Sequence, residues 1–329
     1  MTRYIINRCV VCVSDKAQTE NNIMGELPPP RVSPSRQFSH TGIDYAGPFM
    51  VRNNSGRGSK SHKTWIAIFV CLSIKAIHLE LVHDYSTPTF LAAFRRFTSR
   101  RGIPSDIYSN NGTNFRGADR ELSKTFQSLK KDSDLVNCFA SDGTTWHFMP
   151  PIAPNFGGLW EAGVKSVKTH LRKILLNSTP TAEELTTLLS QIESCLNSRP
   201  LVAINDDPES LDVLTPGHFL IGSALKIVPS PSLLNVNTNY LTRWQFYQRI
   251  LETFWRSWSR VYLQTLQQRV KWFLKKPNLR IGDIVLLKNA NSPPAKWDLA
   301  RVIKCIFGRD GVVRVVHVKT SKSEYVRPI

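Results

Sequence analysis

Apolar residues occur in short runs over the first half of the chain, and the runs differ in period. Three of them are rich in β-branched and aromatic residues and are separated by polar loops, at 42–49, 63–71 and 74–82. This composition predicts three consecutive β-strands that form a meander. Phe90, Phe94 and Phe97 then recur at i, i+4 and i+7 behind Pro88, which predicts a helix with one face on the sheet.

The pattern after this helix alternates between strands and helices. Strands are predicted at 103–109 and 145–149, and helices at 117–131 and 159–176. A further helix begins at the capping box Thr181-x-x-Glu184 and ends before Pro200. This alternation is typical of one mixed α/β domain of about 190 residues.

The last third of the chain has a different pattern. After a segment punctuated by Pro, Ser and Asn at 205–238, a helix rich in Trp, Arg and Gln is predicted from 241 to 272. Short apolar runs joined by turns follow it, at 280–288, 300–306, 312–318 and 324–327. They predict a small all-β barrel with antiparallel strands behind the helix.

The first 40 residues show little regular pattern. The proline-rich stretch 27–34 is predicted to be a linker, because proline breaks helices and is excluded from central strands. Cys9-x-x-Cys12 has the spacing of zinc ligands, but no histidine precedes it. Such a bare pair is more often structural or incidental than a complete Zn²⁺ site.

Composition excludes several classes of protein. The chain has 329 residues, of which 41% are hydrophobic, enough to close a buried core. Its longest apolar run, 65–72, is far too short to span a bilayer, and no signal-peptide core follows Arg3 and Arg8. The six cysteines are scattered and form no disulfide framework. A membrane or secreted protein is therefore not expected, and the nucleus or the cytoplasm is.

Charge points to a polyanionic partner. The chain carries 43 Lys+Arg against 25 Asp+Glu, a net charge of +18. Residues 243–329 hold 18 of the Lys+Arg and 5 of the Asp+Glu, a net charge of +13. Cations that neutralise phosphates release condensed counterions, so DNA is the expected partner. A solubility device is the alternative, although negative charge would serve that purpose at least as well.

Two places in the core could carry chemistry. Asp44 lies in a predicted central strand, where an acid must be paired, metal-bound or at an exposed strand end; a structural hydrogen bond is the alternative. On the helix predicted at 159–176, four charged residues with 4, 3, 4 spacing share one face: Glu161, Lys165, Lys168 and Arg172. A solvated face of i,i+4 ion pairs would show the same spacing.

Several longer strings resemble the integrase of retrotransposons, most closely the BEL/Pao type. The catalytic-core strings are GIDYAGPF at 42–49, YSNNGTNF at 108–115, PPIAPNFGGLWE at 150–161, NSRPL at 197–201 and LTPGHFL at 214–220. Gly282-Asp283 and Lys296-Trp297 resemble the C-terminal domain of the same elements. The strings occur in the family's order and cover nearly the whole chain.

The resemblance implies a fold and a reaction. It implies an α/β ribonuclease H-like integrase core in which three acids hold two Mg²⁺ or Mn²⁺ ions for 3′-end processing and strand transfer, the steps of DNA integration. Asp44 and Glu161 match the first and third acids. Asn110 stands where the family has the second, and an amide oxygen is a poorer ligand for a hard cation. Asp106 lies about 13 Å along the strand, too far to replace it.

The expected organisation has three parts: the zinc-module remnant at 1–30, the integrase core at 31–224, and a basic C-terminal helix plus barrel at 235–329. DNA contacts are expected from six cations, Lys165, Lys168, Arg172, Lys271, Lys275 and Lys276. We expect an integrase-like protein with an impaired metal site, acting as a homo-oligomer if it is active. The alternative is a domesticated DNA-binding protein without catalysis.

Overall fold

The computed structural model of the protein describes residues 29–54, 56, 58–110, 112–129, 143–148, 154–175, 178–204, 210–266, 278–289 and 292–329, with the backbone alone at 124–129, 154–163 and 166. The chain forms two compact units, Met1–Ser33 and Pro34–Ile329. In the first unit, part of the stretch predicted to be a linker makes one turn of helix, α1, at Pro29–Val32. Prolines fit there because the first N–H groups of a helix have no intrahelical partner.

A mixed five-stranded sheet lies at the centre of the described part of the second unit, with strand order β3-β2-β1-β4-β5. The strands are β1 (His40–Arg52), β2 (Ser61–Cys71), β3 (Ile77–Val82), β4 (Asp106–Ser109) and β5 (Thr145–Phe148). The predicted meander is confirmed, because β1, β2 and β3 pair antiparallel. β4 and β5 run parallel to β1. This mixed sheet fits a ribonuclease H-like core.

Helices cover both faces of the sheet. They are α2 (Thr87–Arg101), α3 (Thr113–Leu129), α4 (Pro154–Leu175), α5 (Ala182–Asn197), α6 (Pro216–Ile221) and α7 (Arg243–Leu266). Buried side chains of α2 and α3 pack on one face, with the predicted Phe90, Phe94 and Phe97 stripe at its centre. Those of α4, α5 and α7 pack on the other. No helix in the described ranges is both long enough and apolar enough to cross a membrane.

Helix α7 is joined to the core. Six of its side chains are buried in the hydrophobic cluster that also holds the apolar faces of α4 and α5: Tyr247, Ile250, Leu251, Phe254, Trp255 and Trp258. Trp255 and Trp258 also contact Trp297. The Trp297 Nε1 donates to Ser198 Oγ at 3.2 Å. The helix predicted to open the C-terminal region therefore shares a core with the central sheet, so cutting the chain before α7 would expose that core.

The C-terminal strands form an open sheet where the sequence predicted a barrel. β8 (Ile284–Leu287), β9 (Asp298–Phe307), β10 (Val313–Lys319) and β11 (Glu324–Pro328) are ordered β11-β10-β9-β8, after a small β6–β7 pair at Val202–Ala203 and Val213–Leu214. Closing a barrel would require β11 to pair with β8, and among the described strands they do not pair. The sheet has few and short strands. One of its faces packs on a small cluster of mostly valine side chains, and strand β11 is exposed.

Edge strand β3 is protected by side chains of α5. Asn197 Nδ2 donates to the Ile77 carbonyl at 2.7 Å, and Asn197 Oδ1 accepts from the Ile77 N–H at 2.9 Å. Glu193 Oε2 accepts from the Leu79 N–H at 3.0 Å. These bonds replace the missing neighbouring strand, which removes a template for unwanted pairing.

A buried charge network lies beside this edge. The His78 ring contacts Glu193 through Nδ1 at 3.1 Å and Glu80 through Nε2 at 3.1 Å. Arg96 donates to Glu80 at 2.6 Å and Arg101 to Glu193 at 2.5 Å. Burial opposes a charge on His78, but the bonds to Glu193 and Glu80 outweigh it, so the pKa of His78 lies above its ordinary value of 6.5. The network therefore joins β3 to α5 through His78 and Glu193, and to α2 through Glu80 and Arg96.

The free energy of unfolding should decrease as the pH rises through the raised pKa of His78. A raised pKa means that the native state binds the proton more tightly, so the stabilisation is complete below the unfolded value of 6.5 and is lost above the folded value. Chemical denaturation at pH about 6 and about 8.5 measures this change. In His78→Gln the loss with pH should be smaller than in the parent; equal losses in both would contradict the assignment.

Candidate active site

The candidate acids lie where the short strand β4 ends beside β1. The two strands are parallel and in register from His40 opposite Asp106 to Ile43 opposite Ser109. Asp44 is the next residue of β1, and Asn110 is the first residue after β4. Neighbouring strands are about 4.8 Å apart, so the backbone brings positions 44 and 110 side by side. The resemblance assigns both positions to one site.

Asp44 is held by helix α4. Lys168 Nζ donates to Asp44 Oδ2 at 2.6 Å, and the two side chains are 25% and 20% exposed. The other carboxylate oxygen, Oδ1, accepts from the Tyr45 N–H at 2.7 Å. The charge of Asp44 also acts on Tyr85, whose pKa is raised first by its own burial and second by this neighbour. Asp44 and Lys168 therefore form a salt bridge that joins β1 to α4.

Asn110 turns the chain out of β4. Its Oδ1 accepts from the Gly112 N–H at 3.0 Å, and its backbone carbonyl accepts from Ser109 Oγ at 3.0 Å. The site is tight here, since a Cβ added at Gly112 would lie 3.1 Å from Asn110 Oδ1 and 2.8 Å from Asn114 Oδ1. The amide oxygen keeps a second lone pair but carries no full charge, and the other end of the side chain is the NH₂ group, a donor that repels cations.

The third predicted acid, Glu161, lies in α4, and its side chain is outside the described residues. It precedes Lys168 by seven residues, which is two helical turns, so its position lies on the face that meets Asp44. Val164, Val167 and Leu171 of the same helix are buried. Lys165 and Arg172 are exposed. Lys271, Lys275, Lys276, Cys9 and Cys12 lie outside the described residues.

The described side chains do not fit a pair of divalent cations. No group of three His, Cys, Asp or Glu side chains within the described ranges could hold a metal ion. Among the described side chains, positions 44 and 110 offer one carboxylate and one neutral amide, and the carboxylate is paired with Lys168. Two hard cations need several anionic oxygens between them. The Lys168 ammonium supplies a single positive charge instead.

Asp106 is engaged elsewhere. It begins β4, four residues before Asn110, and lies 2.9 Å from His40 Nδ1 and 2.7 Å from His147 Nε2. It therefore links the first residue of β1 to β5, which agrees with the prediction that it cannot replace the missing acid.

Two of the strings that resemble the integrase core have structural roles that their sequence did not indicate. Buried Arg199 donates to the carbonyls of Leu196 and Lys75 at 2.8 and 2.6 Å. The Thr215 N–H donates to His218 Nδ1 at 3.0 Å, closing the start of α6. Neither residue faces Asp44 through any described contact. Capping spacing, as in Thr215-x-x-His218, was the available signal.

A known family matches the C-terminal part of the chain. Residues 242–329, from the start of α7 to the end, match a family of unknown function, DUF5641. No curated protein matches the chain.

Two solved structures are similar at low scores. One is a cryoEM structure of the simian T-cell lymphotropic virus intasome in complex with PP2A regulatory subunit B56 gamma, with 11% identity, 99% of this chain and 87% of that chain covered, and a TM-score of 0.37. The other is the HTLV-2 integrase catalytic core domain in complex with magnesium, with 19% identity, 49% and 88% covered, and a TM-score of 0.31. Likenesses this distant do not establish a common function.

Proposed function

We propose that this chain is a retrotransposon integrase-like, DNA-binding protein whose DNA-integration chemistry is impaired at Asn110. The observation that carries the proposal is the juxtaposition of Asp44 and Asn110 at the end of β4, beside helix α4. The parallel register of β1 and β4 sets Asp44 beside Asn110, and the Lys168 bond sets α4 against Asp44. The resemblance assigns the family's acid positions to Asp44, Asn110 and Glu161, the last of them also on α4.

The impairment follows from charge. Transfer of a DNA strand places negative phosphate oxygens at this site, and in the family the acids hold Mg²⁺ or Mn²⁺ there to neutralise them. Asn110 removes one negative charge, and its NH₂ group cannot ligate a cation. The second candidate function, a non-catalytic DNA-binding protein, is favoured by one observation: Lys168 already compensates Asp44 at 2.6 Å.

DNA binding is supported by the distribution of exposed cations. The C-terminal sheet and its loops carry exposed basic side chains, among them Lys288, Lys304, Arg309 and Lys322. Residues 243–329 also hold most of the net positive charge of the chain. Phosphate contacts of this kind depend on charge and not on base sequence, so the binding is expected to be non-specific and independent of metal.

Gel-shift measurements of the full chain on mixed-sequence duplex DNA in EDTA test this proposal. Affinity should fall steeply with salt, and each lost phosphate contact should reduce the slope by about 0.9. One variant replaces four cations of the C-terminal sheet by Gln, at Lys288, Lys304, Arg309 and Lys322. A matched control replaces four exposed cations of the core, at Lys60, Lys63, Arg95 and Arg120.

The first variant should bind more weakly, with a shallower salt slope, while the control stays closer to the parent. A full chain that does not retain duplex DNA at low salt would refute the proposed function.

A further inference from the structure

Helices α4 and α7 meet along a polar seam on the side of α4 away from the candidate active site. His170 Nδ1 lies 3.2 Å from Ser257 Oγ, and the His170 ring packs edge-on against Phe254. On α4, His170 is turned well away from Lys168, which faces Asp44. The seam therefore belongs to a different surface from the stripe Lys165, Lys168 and Arg172.

Exposed cations flank this seam from both helices. Lys173 follows His170 by three residues. Burial, the larger cause, and the charge of Lys173 both lower the pKa of His170. Arg260 follows Ser257 by three residues, and Arg256 precedes it by one. All three side chains are exposed. We call Lys173, Arg256 and Arg260 the α4–α7 ridge.

One acid of these two helices lies within a helical turn of the ridge, Glu252, four residues before Arg256. Within α4 and α7 the acids are Glu161, three helical turns before Lys173, and Glu252, which accepts from Ser232 Oγ and the Leu233 N–H. No salt bridge of the described residues includes a ridge cation, whereas Arg243 at the start of α7 is paired with Glu184. Arg256 and Arg260 are one turn apart, about 6 Å along the axis, so their like charges add.

We propose that the α4–α7 ridge binds the phosphate backbone of duplex DNA. The proposal rests on the proposed function and adds a contact surface outside both the candidate active site and the C-terminal sheet. A backbone with one negative charge per about 1.7 Å of duplex offers a partner to each ridge cation. A lipid surface fits less well, because the apolar face of α7 is buried in the core and has no side to insert into a bilayer.

The test is a triple variant of the full chain, Lys173→Gln, Arg256→Gln and Arg260→Gln. Its control also removes three exposed charges, by Lys60→Gln, Lys63→Gln and Arg95→Gln. Fluorescence anisotropy with a mixed-sequence duplex of about 30 base pairs, in EDTA between about 50 and 200 mM NaCl, gives the affinity and its salt slope. Thermal unfolding of both variants should match the parent, since all six side chains are exposed.

The triple ridge variant should reduce the salt slope by about 2.7, which is three contacts of about 0.9 each, and should weaken binding at least tenfold at the lowest salt. An unchanged slope and affinity in a chain that still binds DNA would overturn the ridge assignment and leave the proposed function standing. Loss of binding to phosphatidylserine vesicles with unchanged DNA binding would overturn it too, in favour of a membrane surface. A parent chain that does not bind DNA would instead refute the proposed function.

Discussion

Replacing Asn110 by Asp is expected to raise the affinity of the chain for Mn²⁺ more than tenfold. The Asx-type bond to the Gly112 N–H needs only one side-chain oxygen, and Asp supplies that oxygen together with a second that can face position 44. One more unit charge about 4 Å from a divalent ion is worth about 2 kcal/mol even at the dielectric constant of water. Since about 1.4 kcal/mol is a factor of ten, titration calorimetry with Mn²⁺ should detect the gain.

Two further variants make this prediction specific. Asn53→Asp adds the same charge on an exposed loop and should leave Mn²⁺ affinity at the parent value. Asp44→Asn, introduced together with Asn110→Asp, should remove the gain, because it deletes the neighbouring ligand and the partner of Lys168. Equal Mn²⁺ affinity in the parent and in Asn110→Asp would show that position 110 does not face the site.

The three-stranded meander and the buried face of α2 could be predicted because both depend on short-range patterns. The Phe90, Phe94 and Phe97 spacing predicted α2 and its buried face, and β-rich runs predicted the meander. Local period is enough for such features. The resemblance assigned Asp44 and Asn110 to one site, whereas the strand order that sets them side by side is a finding of the structure.

Other features depend on contacts between distant residues and had no local signal. Asn197 completes the edge of β3 by bonding Ile77, 120 positions earlier in the chain. The packing of α7 on the core had no local signal either, because an amphipathic helix shows that it has an apolar face and not what covers it. The open C-terminal sheet was predicted as a barrel for the same reason: strand count alone does not decide whether the last strand pairs with the first.

Lys168 shows how one residue supports two interpretations. Its spacing from Glu161 predicted a cation on the α4 face, and the resemblance suggested a DNA contact. The structure bonds its ammonium to Asp44 at 2.6 Å, and the DNA contact stays a prediction. The sequence did not show this contact between β1 and α4. It depends on the distance between the two elements, and packing of the core sets that distance.

Strand transfer should be undetectable for the chain as it stands and measurable for Asn110→Asp. The assay joins a paired DNA end to a target duplex in buffer with Mg²⁺, at a salt concentration where the chain binds DNA. A bound metal ion stabilises developing charge by several kcal/mol, and each 1.36 kcal/mol is tenfold in rate, so restoring the acid should raise the rate by roughly two orders of magnitude or more. DNA binding in EDTA should be nearly unchanged, which separates chemistry from affinity.

Three outcomes of this assay have different meanings. Transfer by Asn110→Asp that disappears on Asp44→Asn or Glu161→Gln would support the impaired-integrase proposal, because the three positions would then act as one site. Strong transfer by the parent chain, abolished by Asp44→Asn, would contradict the impairment and show that two carboxylates with Lys168 beside them are sufficient. An Asn110→Asp variant that binds Mn²⁺ and DNA but transfers no strand would favour the non-catalytic DNA-binding protein, since the ligands would then be present without the chemistry.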